Sequence, residues 1–315
     1  MFAARCLGVS LAMFVMLYVP LSVVVSRCWK LALRWLRPAS ARRLANLLFF
    51  LRILPLALSC AFTLAFALPS FLLLEPRTTD EAVGTAPLVL GLCCLTLFAL
   101  GAIRGYRAQL KSSRAIAAWL EGASIMESSS EAQILQTSKH APSFTVAGLC
   151  APKVLVSEEA VALLTSGELR TALRHEMAHV RRYDNLKKLL FRFSIFPGMK
   201  HLERAWSEEA EIAADDAAVA SFSDALDLAS ALIKVSRLSP VQPLPEFTTG
   251  LLHSSTALTA RIQRLFAWQQ PPVQESRSRG WRFALPAVAI SVMCLTMSYS
   301  SVLVRLHAIT EWLVR

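Results

Sequence analysis

The chain has 315 residues, 55% of them apolar, and a mean hydropathy of +0.47, which excludes an ordinary soluble composition and points to membrane spans. Its formal net charge of +11 would suit nucleic acid, anionic lipid or membrane topology. Position decides among these: the basic residues flank the apolar runs, so topology accounts for the charge and direct nucleic-acid binding is not expected.

A spanning helix needs about 20 mostly apolar residues. Four stretches qualify: Leu7 to Ser26, Ile53 to Leu74, Ala86 to Ile103 and Phe283 to Val304. Their prolines, Pro20, Pro55, Pro69 and Pro286, are better tolerated in lipid than in a soluble helix. The first stretch reads as an uncleaved anchor, because its apolar core is long, only Arg5 precedes it and no small-x-small cleavage site follows. The cysteines, Cys6, Cys28, Cys60, Cys93, Cys94, Cys150 and Cys294, contain no C-x-x-C pair and read as small packing residues.

Basic loops stay in the cytoplasm. The loop from Arg27 to Arg52 carries Arg27, Lys30, Arg34, Arg37, Arg42, Arg43 and Arg52 and no acid. The next loop has Glu75, Asp80 and Glu81 against Arg77. Arg104, Arg107, Lys111 and Arg114 follow the third span, and Arg277, Arg279 and Arg282 precede the fourth. These asymmetries predict both termini outside and the region from Arg104 to Arg282 inside. The expected organisation is a membrane domain over residues 1–103, a cytoplasmic domain over 104–282, a fourth span over 283–304 and a short outer tail over 305–315.

The cytoplasmic region opens with a predicted helix, "RAQLKSSRAIAAWLEGA", and a polar linker-like stretch, "ESSSEAQILQTSKHAPS". Two short β-like runs follow, "SFTVAGL" and "KVLVS". One helix is then predicted from an N-cap at Ser166 to a stop at Pro197 and Gly198. Further helices are predicted through "LERAWSEEAEIAADDAAVASF", "DALDLASALIKVSRL" and "STALTARIQRLFAW".

His175, Glu176 and His179 form H-E-x-x-H. On a helix, positions i and i+4 share a face, so both imidazoles can reach one metal ion. Glu176 is offset from that face, placed to act on water rather than to ligate. A third ligand is needed, and "SEEAEIAADDAAV" offers Glu208, Glu209 and Glu211. Glu211 stands ahead, because Asp215 lies at i+4 from it and can hydrogen-bond the outer nitrogen of a ligand histidine. Such a site predicts hydrolysis of a peptide bond. An extended substrate would add as a strand to an exposed edge of the β-like runs.

"ELRTALRHEMAHVRRYDNL" followed by "EIAADDAAV", with the tail "ALTARIQRLF", resembles the BlaR/MecR-type membrane metallopeptidases. The resemblance covers the spans and the domain between the third and fourth of them. It implies a mainly α fold: four transmembrane helices and an α-rich gluzincin-type domain with a small β element. It implies one Zn²⁺ per chain, held by His175, His179 and Glu211, with Glu176 as general base. It also implies a multi-pass protein of the bacterial cytoplasmic membrane that cleaves a cytoplasmic protein, often a transcriptional repressor, and sometimes itself. Sensor members carry a penicillin-binding domain after the fourth span, whereas this sequence ends eleven residues after Val304, so β-lactam sensing is not expected. The alternatives are an HtpX-like or CAAX-type processing peptidase and a catalytically silent membrane scaffold. Restraint of the site is expected to come from a separate membrane sensor partner, the other routes being a signal read by the spans themselves and closure by the segment from Met126 to Ser143.

Overall fold

The computed structural model describes residues 2–36, 40–76, 84–128, 131–137, 142–149, 151–238, 248–249, 255–269 and 298–311. The chain is mainly helical. Three stretches are long and apolar enough to cross a membrane: Phe2–Arg34, Ala41–Leu74 and Thr85–Leu120. They lie in α1 (Phe2–Leu36), in the run of α2 (Ala41–Phe62), a π-helical turn (Thr63–Ala67) and α3 (Leu68–Leu74), and in α4 (Thr85–Leu120). Most of the fourth predicted span, residues 283–297, lies outside the described residues, and its last part belongs to a helix over residues 298–311.

Two boundaries differ from the sequence reading. The basic loop after the first span is largely helix, because α1 runs on to Leu36 and α2 begins at Ala41. The helix predicted after the third span is the second half of α4, since no glycine–proline break separates Ile103 from Arg104 and the polar residues that follow are good helix formers.

The chain divides into two compact units, one comprising residues 1–27, 53–99 and 271–315 and the other 28–52 and 100–270. In the second, the elements after α4 are β1 (Ser124–Ser128), β2 (Gln133–Thr137), β3 (Phe144–Ala147), β4 (Lys153–Ser157), α5 (Glu158–Leu163), α6 (Ser166–Arg181), α7 (Asp184–Phe193), α8 (Lys200–Ala218), α9 (Phe222–Leu238), β5 (Thr248–Thr249) and α10 (Ser255–Phe266). The strands form one sheet in the order β1-β2-β4-β3-β5. β2 and β4 are parallel and the other pairs antiparallel.

The two predicted strand runs became β3 and β4. The polar stretch read as a linker instead contains the end of β1 and all of β2. Ala132, Ile134 and Leu135 are buried within it, and so short an apolar group in a polar stretch gives no visible alternation. That segment is therefore partly built into the sheet. Nor is the inner edge of the β runs fully open: β5 pairs with β3 at Val146 and Ala147, so the sheet edges among the described strands are the far side of β1 and the outer side of the two-residue β5.

Strands β3 and β4 are covered on both faces. Phe144, Val146, Val154 and Val156 pack into a core with Ala172 and Val180 of α6 and Leu228, Leu232 and Val235 of α9. Leu135, Ala147 and Leu155 face the other way, onto Ile116, Trp119 and Leu120 of α4. Burial on both faces explains why these strands read as continuous apolar runs.

The helix predicted from 166 to 193 is two helices. Tyr183 adopts a left-handed backbone, φ 54°, and breaks it between α6 and α7. The N-cap is Thr165, not Ser166: Glu168 N donates to Thr165 Oγ1 (3.4 Å) and Thr165 N donates to Glu168 Oε2 (2.8 Å), a reciprocal capping box that Ser166 has no partner to form.

The far end of α7 is held in close contact with two other helices of the unit. Arg52 of α2, 2% exposed, donates to Ser194 Oγ (2.8 Å), to the carbonyls of Phe191 and Ser194, and to Glu203 Oε1 (2.9 Å). Gly101 of α4 approaches so closely that a Cβ there would lie 2.3 Å from Phe193 O. Gly101→Ala is therefore expected to destabilise this unit by about 1–3 kcal/mol, the usual range for overpacking. Gly105→Ala, whose Cβ would meet only Leu189 Cδ1 at 3.6 Å, is expected to be nearly neutral. Thermal unfolding of the two variants side by side checks this.

Candidate metal centre

Helix α6 carries the H-E-x-x-H residues on its buried side. His175, Glu176 and His179 are 0%, 0% and 2% exposed. His175 Nε2 and His179 Nε2 lie 3.2 Å apart. Glu211 reaches them from α8, with Oε2 3.5 Å from His175 Nε2 and Oε1 3.6 Å from His179 Nε2. Two imidazole nitrogens and one carboxylate thus converge on one point, a donor set that can hold a divalent metal. Glu208, by contrast, pairs with Arg204 (3.0 Å) on an exposed face, and Glu209 is not in the cluster. Alanines at 210, 213 and 214 are buried along α8, where small side chains allow it close to α6.

The outer ring nitrogens are each met by a carboxylate. Asp215 Oδ1 is 2.9 Å from His175 Nδ1, though the approach is off the ring N–H axis, so attraction of charge rather than a well-formed hydrogen bond holds the pair. Asp184 Oδ2 is 2.8 Å from His179 Nδ1 and is hydrogen-bonded to it. Burial pulls the His175 imidazolium down, but Asp215 and Glu211 outweigh it and push its pKa up to about 9. Burial likewise works against the charged forms of Glu211 and Asp184. The surrounding cations win, holding Glu211 well below the usual carboxylate range and Asp184 below it. At Glu176 burial prevails and raises the pKa, and neither carboxylate oxygen has a hydrogen-bond partner among the described residues. A buried carboxylate left unpartnered beside a cluster of metal donors is placed for a ligand that the protein itself does not supply.

Sequence reasoning singled out Asp215 for the outer nitrogen of a ligand histidine and gave no role to two other residues. The first is Asp184. It belongs to the run Arg181 to Asn185, and the structure gives each member of that run a contact. Arg181 pairs with Glu131 at the surface (2.8 Å), and Arg182 Nη1 donates to Ala210 O of α8 (2.9 Å). Tyr183 makes the left-handed turn, Asp184 takes His179, and Asn185 Nδ2 donates to the carbonyls of Val146 and Gly148, both at 3.1 Å. The turn that ends α6 is thus what swings an acid back onto the helix it has just left. A short acidic residue five positions after the second histidine was the one available signal, and nothing in the sequence shows that the chain turns back there. Asp184→Asn is expected to weaken metal binding by about 10- to 100-fold while leaving the fold intact, as losing an outer-nitrogen partner usually does. Competition with a chelating dye measures it.

The second is Arg261 on α10, 5% exposed. Its Nε and Nη2 donate to Asp215 Oδ2 (2.8 Å) and Oδ1 (2.6 Å), and its Nη1 donates to Glu211 Oε2 (3.0 Å). One guanidinium therefore holds both acidic residues of α8. Nothing in a lone arginine 46 residues after Asp215 announces this, since only the fold brings α10 beside α8.

No curated protein matches the chain. Residues 13–265, a span that includes most of the first apolar helix, the other two, the sheet, the cluster on α6 and α8, and Arg261 on α10, match the family described as BlaR1 peptidase M56. The chain belongs to the BlaR1 peptidase M56 family.

Proposed function

We propose that the chain is an integral-membrane zinc endopeptidase that hydrolyses a peptide bond in a cytoplasmic or membrane-proximal protein, a transcriptional repressor or the chain itself. The observation that carries this reading is the buried cluster of His175, His179 and Glu211 beside an unpartnered Glu176. Those three residues would hold the metal. When bound, zinc supplies Lewis acidity, lowering the pKa of water and polarising a carbonyl.

The remaining work falls to the chain. Glu176, kept from ionising readily by its burial, takes a proton from the attacking water and returns it to the departing amine. Asp184 fixes the tautomer and tilt of His179 through its hydrogen bond, and Asp215 holds His175 in place by charge. His179 and Arg261 together keep Glu211 ionised, and Arg261 aims it. The family match and the apolar helices support a membrane location, and the distribution of basic residues supports a cytoplasmic site with both termini outside. A separate membrane protein as the sensing partner is part of the same proposal.

Two experiments test it. Protein reconstituted in lipid is expected to cut a candidate repressor, to stop when a chelator is added and to resume with zinc. Cleavage that persists through metal removal would refute the metallopeptidase reading. A phosphatase reporter, active only outside the membrane, is expected to be silent when fused near Ser128 and active near Asp80 or after Arg315. Activity at Ser128 would reverse the orientation and with it the cytoplasmic substrate.

A further inference from the structure

A second group of metal donors lies in the other unit, among residues that the peptidase reading does not use. Glu75 follows α3. His307 and Glu311 sit at i and i+4 on α11 (residues 298–311), sharing a face as His175 and His179 do. Helix α11 is seated by its own contacts: Leu306 packs with Cys6, Val9 and Met13 of α1 and with Ala67 and Phe71, and Tyr299 Oη donates to Ala65 O at 2.8 Å. Three segments far apart in sequence therefore meet where the carboxylates are.

The distances are those of donors around an ion rather than of hydrogen bonds. His307 Nε2 is 3.8 Å from Glu75 Oε2 and 3.6 Å from Glu311 Oε1. Both exceed the N–H···O range of about 2.7–3.2 Å. They lie close to the edge of a tetrahedron of donors about 2.0–2.2 Å from a common centre, roughly 3.3–3.6 Å. The cluster on α6 and α8 shows similar but slightly shorter separations, 3.2, 3.5 and 3.6 Å. Glu75 also divides its two oxygens. Oε1 is held by Arg5 Nη2 at 2.7 Å, which orients the carboxylate and leaves Oε2 turned toward His307. The side chains of Glu75 and His307 are 7% and 15% exposed, whereas Glu311 is half-exposed. His307 Nδ1 is buried without a hydrogen-bond partner, so the nitrogen that faces the carboxylates is Nε2 alone.

We propose that Glu75, His307 and Glu311 form a second, non-catalytic binding site for a divalent transition-metal cation of the zinc class, with Arg5 as the residue that orients Glu75. An imidazole and two carboxylates select borderline cations over Mg²⁺ and Ca²⁺, which prefer all-oxygen shells. Occupation ties α11 to the segment after α3 and, through Arg5, to the start of α1. The half-exposed Glu311 makes the site weaker and more readily exchanged than the buried cluster on α6 and α8.

The test uses tag-free, full-length protein in lipid nanodiscs, titrated with zinc chloride and analysed for bound metal. Wild type is expected to bind two equivalents, His175→Ala one, and the double variant His175→Ala/His307→Ala none. Glu311→Gln in the His175→Ala background alters only a half-exposed carboxylate, so it keeps the fold while lowering the affinity of the remaining site at least tenfold. If His175→Ala binds no zinc, or if the remaining equivalent is untouched by both the His307 and the Glu311 substitution, the site does not exist. A stability change with pH at this cluster without any zinc uptake would show a proton-bridged ion cluster instead and would equally overturn the proposal. One equivalent in wild type that is lost with His175→Ala leaves the peptidase reading standing while this one falls, so the two fail separately.

Discussion

Glu176→Gln is expected to abolish peptide hydrolysis while leaving the metal content of the protein unchanged. Glutamine keeps the shape of the side chain and cannot take up the proton, so the substitution removes the proposed base with little change of shape. A positioned general base contributes roughly 10²–10⁴-fold, and the loss should be at least that large. The structure adds a second, less obvious expectation. Glu176 is fully buried, its pKa is raised by that burial, and its oxygens are unpartnered. A carboxylate whose folded pKa is raised is destabilising once the pH exceeds its unfolded value near 4.5, because ionisation is easier in the unfolded chain. Neutral glutamine removes that burden. The variant should therefore be at least as stable as the parent at pH 7, the usual sign of a residue kept for chemistry rather than for folding. Loss of both activity and stability would make Glu176 a structural residue, and an unchanged cleavage rate would sink the peptidase reading altogether. His175→Ala is the contrasting control: it should lose metal and hydrolysis together.

The geometry of this cluster was legible in sequence where spacing alone dictates it. His175 and His179 must share a face if they are helical, and the pairing of Glu211 with Asp215 repeats that logic on a second helix. The three apolar helices were legible for the same reason, since lipid demands length and composition and little else. What stayed hidden depended on the path of the chain. Asp184 is five residues from His179, and in a continuous helix it would point elsewhere. Only the left-handed turn at Tyr183 returns it, and a tyrosine at positive φ is not something sequence advertises. Strands β1 and β2 were hidden because so short an apolar group among serines, glutamines and threonines carries too little hydrophobic contrast to register. Arg261 was hidden because its partners are long-range.

Arg261→Ala is expected to produce the largest loss of stability of any single change near the site, and metal should partly rescue it. Glu211 and Asp215 are 5% and 2% exposed, and both stay ionised against their burial. Arg261 supplies three hydrogen bonds to them. Removing one partner of a buried ion pair costs about 3–5 kcal/mol, because the remaining charge is left without compensation. Here two charges are left. His175, His179 and Lys188 stay nearby, but none of them spans both acids with three hydrogen bonds as the guanidinium does. Arg264, one turn further along α10, gives a fair comparison. It also pairs with an acid of α8, Asp216, at 2.6 Å, but the two side chains are 44% and 37% exposed. An ion pair in that setting is worth about 0–1 kcal/mol, so Arg264→Ala should scarcely matter although it removes an equally short contact. Arg261→Lys should fall between, since an ammonium cannot span Asp215 and Glu211 as a guanidinium fork does. A divalent cation held by Glu211 would restore part of the missing positive charge. The difference in Tm between zinc-loaded and chelator-treated protein should therefore widen in Arg261→Ala relative to the parent. If Arg261→Ala unfolds at the parent's temperature in both states, the guanidinium is not what keeps the two acids in place, and the orientation of Glu211 must come from the packing of α8 on α6 alone.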